Sequence, residues 1–345
     1  MKILIISLSG MGNTLMYTPA LRLLRKKFPD ARIDFLVRKK FYGSLLKNNR
    51  DKDNILSIQD GSWFNVGVNL LKLMLERYDI SIINFPSRKF SLNLFSYLVH
   101  AKKRLVHSYD NAYFSTFSQN KKLRADPELH DIEQNLALLK LLGINYSKED
   151  TKMVLDIEND MGDNFLKQNK ISEKDFIVGI HAGSSTDYNA EFKRWPVERF
   201  VGLCNKLMNK HNAKIFIFGG PEEKKLKEKL NNLLNDKGWI FDGKMDETAS
   251  VIKKCKLFIT NDSGLMHIAV AAGIKVVAMI GPTSGPTDTN IRTRAYGDNS
   301  IIIKKDGCKC YFYPFFTSSA HIGCEKNCLS KISVEEVYER IKQKI

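Results

Sequence analysis

The 345-residue sequence contains no long apolar run. None of its apolar segments approaches the ~20 residues that a helix needs to span a bilayer. The apolar stretch near the N-terminus, residues 2–9, has no small-residue cleavage site of the kind that ends a signal peptide, and a basic amphipathic segment follows it. We therefore expect the chain to remain in the cytoplasm.

Acidic residues are few relative to basic ones. The chain has 38 Asp and Glu against 54 Lys and Arg, a formal charge of +16. The sequence also lacks a known nucleic-acid-binding module and any regular interleaving of aromatic and basic residues, so nucleic acid is not the expected partner. An anionic lipid or phosphorylated glycolipid fits the charge. A solvated lysine-rich surface fits it equally well, and the two remain open.

A complete dinucleotide-binding fingerprint is missing from the N-terminal half. Gly10 and Gly12 follow the first predicted strand, but Leu15 stands where G-x-G-x-x-G requires a third glycine. The second predicted strand, residues 31–37, leads into the basic residues 38–40 instead of the acidic residue that binds a ribose. NAD is therefore disfavoured, and NADP has only weak support.

Strand-length and helix-length apolar patterns alternate along the whole chain, without internal repeats or low-complexity segments. The pattern predicts an α/β fold with largely parallel sheets. A chain of this length suits two domains, which we place at residues 1–160 and 161–330, with a final helix in 331–345. Residues 109–128 are interpreted as a polar loop, and residues 153–157 as a short strand.

The clearest local pattern is a strand, turn, helix and strand over residues 257–283. An apolar strand at 257–260 leads into the turn 261–264, which is rich in helix-capping residues. A small-residue helix at 265–272 and a second apolar strand at 275–280 follow. Such a turn lies at the carboxyl end of its strand, where parallel sheets bind ligands.

The N-terminus of that helix is a predicted anion site. The backbone N–H groups around Ser263, Gly264 and Leu265 are free of intrahelical partners, and the helix dipole favours negative charge there. His267, one turn further, can face the same anion, and Asp262 can cap the helix or orient a sugar hydroxyl. Taken alone, these residues would be interpreted as plain helix capping by Asp262 and plain packing by His267.

Four separated segments resemble glycosyltransferase family 9, the family of the lipopolysaccharide heptosyltransferases. They occur in the family's order across nearly the whole chain: Gly12–Leu21, Gly179–Ser185 with Lys193–Pro196, Phe218–Glu223 and Thr260–Thr283. The resemblance implies a GT-B fold, in which two Rossmann-like domains face each other across a cleft. It also implies an acceptor-binding first domain, a donor-binding second domain and a final helix that packs back on the first.

The resemblance further implies how the donor is bound. The predicted donor-binding residues are Ser184, Ser185, Glu223, Met245, Asp262, Ser263, Gly264 and Leu265. Lys193 and His267 are expected to act in catalysis by meeting the charge of a nucleotide diphosphate, which metal-free transfer must stabilise with positive groups and N–H dipoles. Glu223, or its neighbour Glu222, matches the acidic residue that holds the ribose. Without the resemblance, Lys193 would be interpreted as an exposed charge.

One position departs from the family. The heptosyltransferases carry an Asp after the first-domain glycine, and here Asn13 occupies that position. An amide does not accept a proton at neutral pH, but it can hold an acceptor hydroxyl. Either another base serves, with Asp110, Asp187 and Glu191 as candidates, or leaving-group stabilisation dominates. The third alternative is a protein that binds without catalysing transfer.

Four cysteines form a cluster near the C-terminus, spaced C-x-C-x13-C-x3-C: Cys308, Cys310, Cys324 and Cys328. In a cytosolic chain such a cluster suggests a structural Zn or Fe–S site more than disulfides. Four reduced thiols remain an equal alternative. Cys204 and Cys255 lie in apolar segments and are expected to be buried thiols.

The resemblance thus implies an inverting glycosyltransferase that needs no cofactor for catalysis. The expected donor is a nucleotide-diphosphate sugar, ADP-heptose in particular, and the expected acceptor is a glycolipid or lipopolysaccharide core. The expected location is the cytoplasm, at the anionic surface of the inner membrane. The alternative is a non-catalytic nucleotide-sugar or glycan-binding protein on the same fold.

Overall fold

The computed structural model describes residues 1–58, 63–109, 116, 118–184, 193–281, 292–305 and 328–343. The chain divides into two compact units, one formed by Met1–Asp156 and the other by the described residues from Ile157 onward. The predicted boundary at 160/161 lies within four residues of this division. Each unit contains a six-stranded parallel sheet flanked by helices, which confirms the predicted fold class.

The sheet of the first unit has the order β3-β2-β1-β4-β5-β6. Its strands are β1 (Lys2–Ser7), β2 (Arg32–Val37), β3 (Asn54–Ser57), β4 (Ile80–Ile83), β5 (Lys103–Ser108) and β6 (Lys121–Arg124). Its helices are α1 (Met11–Met16), α2 (Thr18–Lys27), α3 (Lys40–Gly43), α4 (Trp63–Leu75), α5 (Phe90–Leu98) and α6 (Asp131–Leu138), with 3-10 turns at Ser44–Leu46, Leu139–Leu142 and Lys148–Thr151. The strand order reverses between β1 and β4, so ligands are expected beyond the ends of these two strands.

The sheet of the second unit has the order β12-β11-β10-β7-β8-β9. Its strands are β7 (Ile177–His181), β8 (Lys214–Ile217), β9 (Gly238–Ile240), β10 (Leu257–Asn261), β11 (Lys275–Met279) and β12 (Ser300–Ile303). Its helices are α7 (Met161–Gln168), α8 (Val197–His211), α9 (Lys224–Leu233), α10 (Met245–Ile252), α11 (Gly264–Ala271) and α12 (Val334–Lys342), with 3-10 turns at Pro221–Glu223 and Leu329–Lys331. The apolar runs of β7 and β10 are buried on both faces, as parallel strands between two helix layers require.

Two predictions for local structure in the first unit are wrong. The predicted loop 109–128 contains β6, a basic strand that among the described strands pairs with β5 alone. As an edge strand it lacks the apolar alternation of an inner strand. Residues 153–157 do not form a strand. The N–H of Val154 instead donates to Thr18 Oγ1 (2.9 Å), a side-chain acceptor in place of a neighbouring strand.

The final helix belongs to the second unit, and its predicted contact with the first domain stays a prediction. α12 packs against α8 of the second unit, and Val337 and Ile341 are fully buried in that unit's core. The indole N–H of Trp195, just before α8, donates to the carbonyl of Ile332 (3.0 Å). The amphipathic stripe of α12 therefore completes the second unit.

Candidate active site

The carboxyl ends of three strands meet in the second unit. The chain passes from β7 outward through β8 and β9, then returns to the other side of β7 with β10. The segments that follow these strands, at residues 181–184, 218–223 and 261–263, therefore lie at one edge of the sheet. This reversal of strand order is where open α/β sheets bind ligands.

A buried line of three side chains crosses this edge. His181, the last residue of β7, places Nε2 at 2.9 Å from Glu223 Oε2 and Nδ1 at 2.9 Å from Ser263 Oγ. The backbone N–H of Gly220 also donates to Glu223 Oε2 (2.8 Å). The carboxylate, imidazole and hydroxyl thus connect the ends of β8, β7 and β10.

Glu223 is held as a buried carboxylate. Burial raises its pKa, but the hydrogen bond and charge of His181, the Gly220 N–H and the charge of Arg194 outweigh burial, so the pKa lies below its usual value. Its second oxygen, Oε1, is buried without a hydrogen-bond partner in the described part of the chain. This oxygen lies directly beneath Gly183, where an added Cβ would be 1.7 Å from it. Glycine at 183 is thus what leaves room for the carboxylate.

Ser263 begins α11. Its backbone is extended, and its hydroxyl accepts the N–H of Met266 (3.4 Å) while remaining in contact with His181. Asp262 was predicted either to cap this helix or to orient a sugar hydroxyl. In the structure Ser263 caps the helix, and Asp262 pairs with Lys193 (Oδ2 to Nζ, 3.4 Å). The predicted anion site at the start of α11 therefore has a serine cap and a lysine nearby.

His267 lies in the first turn of α11 and is buried. Burial lowers its pKa to about 4, although the charge of Asp262 acts in the opposite direction. Its Nδ1 has no hydrogen-bond partner among the described residues. The imidazole is therefore neutral at physiological pH, not the cation that an anion-binding role first suggests.

The loop after β7 is fastened by two residues whose roles the sequence did not indicate. Arg194 donates to Ser184 through Nε to Oγ (3.1 Å) and through a second nitrogen to the carbonyl (3.3 Å). The buried amide of Asn261 donates to the carbonyls of Ala182 (2.8 Å) and Gly183 (3.2 Å) and accepts the Trp195 N–H (2.9 Å). Through these contacts, Asn261 and Arg194 hold in place the loop that carries the predicted donor residue Ser184.

The remaining predicted donor residues fall at the same edge or outside the described residues. Met245 begins α10 and is half-buried, and Leu265 is buried in the first turn of α11. Because α10 runs antiparallel to the strands, its start lies at their carboxyl edge. Ser185 and the candidate bases Asp110, Asp187 and Glu191 lie outside the described residues.

The cysteine prediction falls largely outside the described residues as well. Cys308, Cys310 and Cys324 are not described, whereas Cys328 is described and buried. The described residues contain no cluster of His, Cys, Asp or Glu arranged to hold a metal. Cys204 and Cys255 are buried, as predicted, and burial raises the pKa of both thiols, that of Cys204 to about 12.

Asn13 lies at the corresponding point of the first sheet, between the ends of β1 and β4. Its Nδ2 donates to the carbonyl of Phe85 (3.1 Å), and Asn84 donates to the Asn13 carbonyl (2.9 Å) and to Ser7 Oγ (2.7 Å). The amide nitrogen is therefore committed to the protein. The amide oxygen of Asn13 is the atom of this side chain that can accept a hydrogen bond from a hydroxyl group.

No helix in the described ranges combines the length and the apolar content of a membrane span.

A protein-family model and a named relative both indicate the same family for this chain. The model for Glycosyltransferase family 9 (heptosyltransferase) matches residues 70–312. Lipooligosaccharide heptosyltransferase 2 of Campylobacter jejuni is 28% identical over 292 residues, which cover 82% of this chain and 82% of that protein.

Solved structures give the same fold. A family 9 glycosyl transferase from Veillonella parvula has a TM-score of 0.80 at 23% identity, covering 99% of this chain and 96% of that chain. E. coli ADP-heptose lps heptosyltransferase II has a TM-score of 0.75 at 21% identity, covering 99% and 98%. With the family model matching well over half of its length, the chain belongs to glycosyltransferase family 9, the heptosyltransferase family, and is a glycosyltransferase.

Proposed function

We propose that the chain transfers a heptose from ADP-heptose to a lipopolysaccharide-core acceptor, with inversion at the anomeric carbon and without a metal in the transfer step. Family membership supports heptosyl transfer, and the similar E. coli protein is named for ADP-heptose. The observation that carries the donor assignment is the meeting of Lys193, Ser184 and the start of α11 at the switch point of the second sheet.

The diphosphate is proposed to lie at the N-terminus of α11. The N–H groups of Gly264 and Leu265 are available there, and Gly264 lets a phosphate approach the backbone closely. Lys193 is held by Asp262 at 3.4 Å, a long ion pair that a diphosphate can replace with shorter charge-assisted contacts. The positive charge and N–H dipoles then stabilise the leaving diphosphate as the glycosidic bond to it breaks.

His267 is proposed to respond to the bound diphosphate. Its ring is neutral near pH 7 because burial lowers its pKa to about 4. A phosphate nearby raises that pKa, since an opposite charge favours the protonated ring. Donor binding should therefore take up a fraction of a proton at mildly acidic pH.

Glu223 is proposed to bind the ribose through Oε1. Its other oxygen is fully used by His181 and Gly220, whereas Oε1 is a buried acceptor without a partner in the described chain. A ribose hydroxyl would satisfy it. Met245 and Leu265, at the same edge, are proposed to contact the nucleoside.

On the acceptor side, Asn13 is proposed to position the attacking hydroxyl through Oδ1. The hydroxyl oxygen forms the new bond to the anomeric carbon while the bond to the diphosphate breaks. Its proton passes to another group, for which Asp110, Asp187 and Glu191 stay the candidates.

The acceptor domain is proposed to work at the cytoplasmic face of the inner membrane. The four C-terminal cysteines are proposed to hold a structural Zn or Fe–S centre.

The experiment that tests this function is release of ADP from ADP-heptose, with and without a heptose-deficient lipopolysaccharide acceptor. Acceptor-dependent release supports the proposal, and UDP- and GDP-sugars serve as donor controls. Binding of ADP-heptose by calorimetry without turnover on any core acceptor would instead support a nucleotide-sugar-binding protein, the alternative that Asn13 raises.

A further inference from the structure

Helix α5 carries apolar residues on two sides: Leu92 and Phe95 pack inward, and a second apolar stripe faces outward while two polar residues are buried. Asn93 and Ser96, one turn apart, are fully buried, while Phe90, Leu94 and Tyr97 are 52%, 38% and 44% exposed. The spacing i, i+4, i+7 places these three apolar side chains along one outer stripe. A helix on the surface of an ordinary soluble domain instead has polar residues on its outer side.

The buried amide nitrogen of Asn93 and the hydroxyl of Ser96 find partners within the first unit, whereas Asn93 Oδ1 has none among the described residues. Asn93 Nδ2 donates to the carbonyls of Ser87 (2.6 Å) and Lys89 (3.0 Å). Ser96 Oγ lies 3.3 Å from Ser81 Oγ on β4. These contacts hold the helix in its present rotation, so the apolar stripe remains outside.

The neighbouring helix α4 extends the same surface. Its outer positions include Leu71 and Leu75, 60% and 81% exposed, and Lys72 is its one charged residue. Inward residues of both helices pack in one core cluster with β1, so α4 and α5 cover the same face of the first sheet and contact each other. We call the exposed residues Leu71, Leu75, Phe90, Leu94 and Tyr97 the α4–α5 outer face.

The surroundings of this face are positively charged. From residue 63 to 104 the chain has seven Lys and Arg against two acidic residues. Both acidic residues are neutralised, Glu76 by Lys2 and Arg32, and Asp79 by Lys102. The guanidinium of Arg104 lies over the ring of Tyr97, 5.3 Å from its centre.

We propose that the α4–α5 outer face rests on an anionic lipid bilayer, with its apolar side chains inserted to the depth of the headgroups. This inference names the surface for the proposed membrane association and does not depend on transfer activity. Shallow apolar insertion combined with basic residues at the same level is how peripheral proteins bind anionic membranes. Long basic side chains beside exposed aromatics suit the boundary between water and lipid. A second copy is disfavoured because it would bring the same positive charge against itself.

The test is co-sedimentation of the full chain with vesicles of phosphatidylglycerol and phosphatidylcholine, and of phosphatidylcholine alone. The double variant Leu75→Glu/Phe90→Glu should bind anionic vesicles at least about tenfold more weakly than wild type, because two apolar contacts are lost and two repulsive charges gained. Leu233→Glu on α9 is the matched control, since Leu233 is 43% exposed but lies in the second unit. Lys72→Glu should weaken binding about fivefold or more, whereas the exposed Lys225→Glu should not.

Calorimetric binding of ADP by each variant confirms that it is folded and tests the donor site separately. If the double variant loses vesicle binding but still binds ADP, the inference is supported. If wild type binds vesicles but not ADP, the proposed function is refuted and the membrane inference is not affected. Equal binding by the double variant and Leu233→Glu would overturn the inference. So would equal affinity for neutral vesicles, or a lipid-free dimer that the double variant abolishes in light scattering.

Discussion

His181 Nε2 lies 2.9 Å from Glu223 Oε2, and both side chains are buried at the switch point of the second sheet. Through Nδ1, the same imidazole reaches the hydroxyl that caps α11. The carboxylate therefore influences the proposed diphosphate site through one intervening ring. Two roles of this carboxylate can be tested separately: the observed contact with His181 and the proposed contact of Oε1 with the ribose.

Replacing Glu223 should separate these effects. Glu223→Ala leaves the half-buried Gly220 N–H and the buried His181 ring without their acceptor, and an unpartnered buried group such as His181 costs about 1–3 kcal/mol. We expect a lower free energy of unfolding in urea and a weaker calorimetric affinity for ADP. Glu223→Gln keeps the shape and should cost less stability. Glu222→Ala, at the exposed neighbour, is the control, and equal losses at 222 and 223 would contradict the assignment.

Lys193→Ala and His267→Ala should each weaken ADP-heptose binding. Charge-assisted hydrogen bonds contribute roughly 1.5–3 kcal/mol, which corresponds to a rise in Kd of about 10- to 150-fold for Lys193→Ala. The effect of His267→Ala should increase below neutral pH, because the ring is expected to gain a proton with the donor. Lys225→Ala, on the exposed side of α9, serves as control. Unchanged dissociation constants in both variants would remove these residues from the donor site.

Asn13→Ala should lower turnover and leave the Kd for ADP-heptose unchanged, because Asn13 lies in the acceptor unit. Asn13→Asp should retain turnover, but it replaces an N–H donor with an oxygen facing the Phe85 carbonyl. We expect it to lower the free energy of unfolding by about 1–3 kcal/mol. If acceptance of the proton limits the rate, the new carboxylate should raise turnover, since a general base contributes about 10²–10⁴-fold.

The matched control for this substitution is Asn169→Asp, which removes a comparable amide-to-carbonyl hydrogen bond, to Phe165 (2.8 Å), in the second unit. Loss of donor affinity in Asn13→Ala, or loss of turnover in Asn169→Asp, would show that the substitutions act through folding.

Stability should fall as the pH decreases from about 6.5 to about 4. Burial lowers the pKa of both His107 and His267 to about 4, so the unfolded chain binds protons that the folded chain does not. The free energy of unfolding is therefore highest above about pH 6.5, the pKa of histidine in the unfolded chain. It falls by on the order of 3 kcal/mol per histidine between about pH 6.5 and about pH 4. Urea unfolding at about pH 7.5 and about pH 5 should show the difference. His107→Gln should reduce it, and an unchanged difference in that variant would contradict the assignment.

The C-terminal cysteines should carry about one Zn or one Fe–S cluster per chain when the protein is purified without chelator. Replacing Cys308 or Cys324 with Ser should remove the metal, whereas Cys204→Ser should not, because burial keeps the Cys204 thiol protonated. Elemental analysis and thiol titration check this. Absence of metal together with four freely titrating thiols would leave the cluster as reduced cysteines.

The strands around the site were predictable from sequence because each is a short, uniformly apolar run followed by a polar turn. β10 and α11 show this most clearly, with Ser263 and Gly264 at the junction. The contact between His181 and Glu223 was not predictable, because it joins residues 42 positions apart whose meeting depends on the order of strands in the sheet.

The rotation of α5 was hidden for a different reason. Its leucines and aromatics fill two stripes, and only the partners of Asn93 and Ser96 decide which stripe turns inward. The packing of α12 likewise depends on contacts between distant parts of the sequence, because its apolar residues Val337 and Ile341 join the core beside α8.

Because Glu223 Oε1 lies close to the Cα of Gly183, the residues that can occupy positions 183 and 223 depend on each other, although the two positions are far apart in the chain. A side chain at 183 would collide with the carboxylate, so any residue other than glycine requires a smaller or displaced residue at 223 first. Relatives with a side chain at 183 should therefore lack the glutamate at 223, whereas a glycine at 183 is compatible with any residue at 223. If Glu223 binds the ribose as proposed, such double replacements would mark relatives that hold the nucleoside by another arrangement.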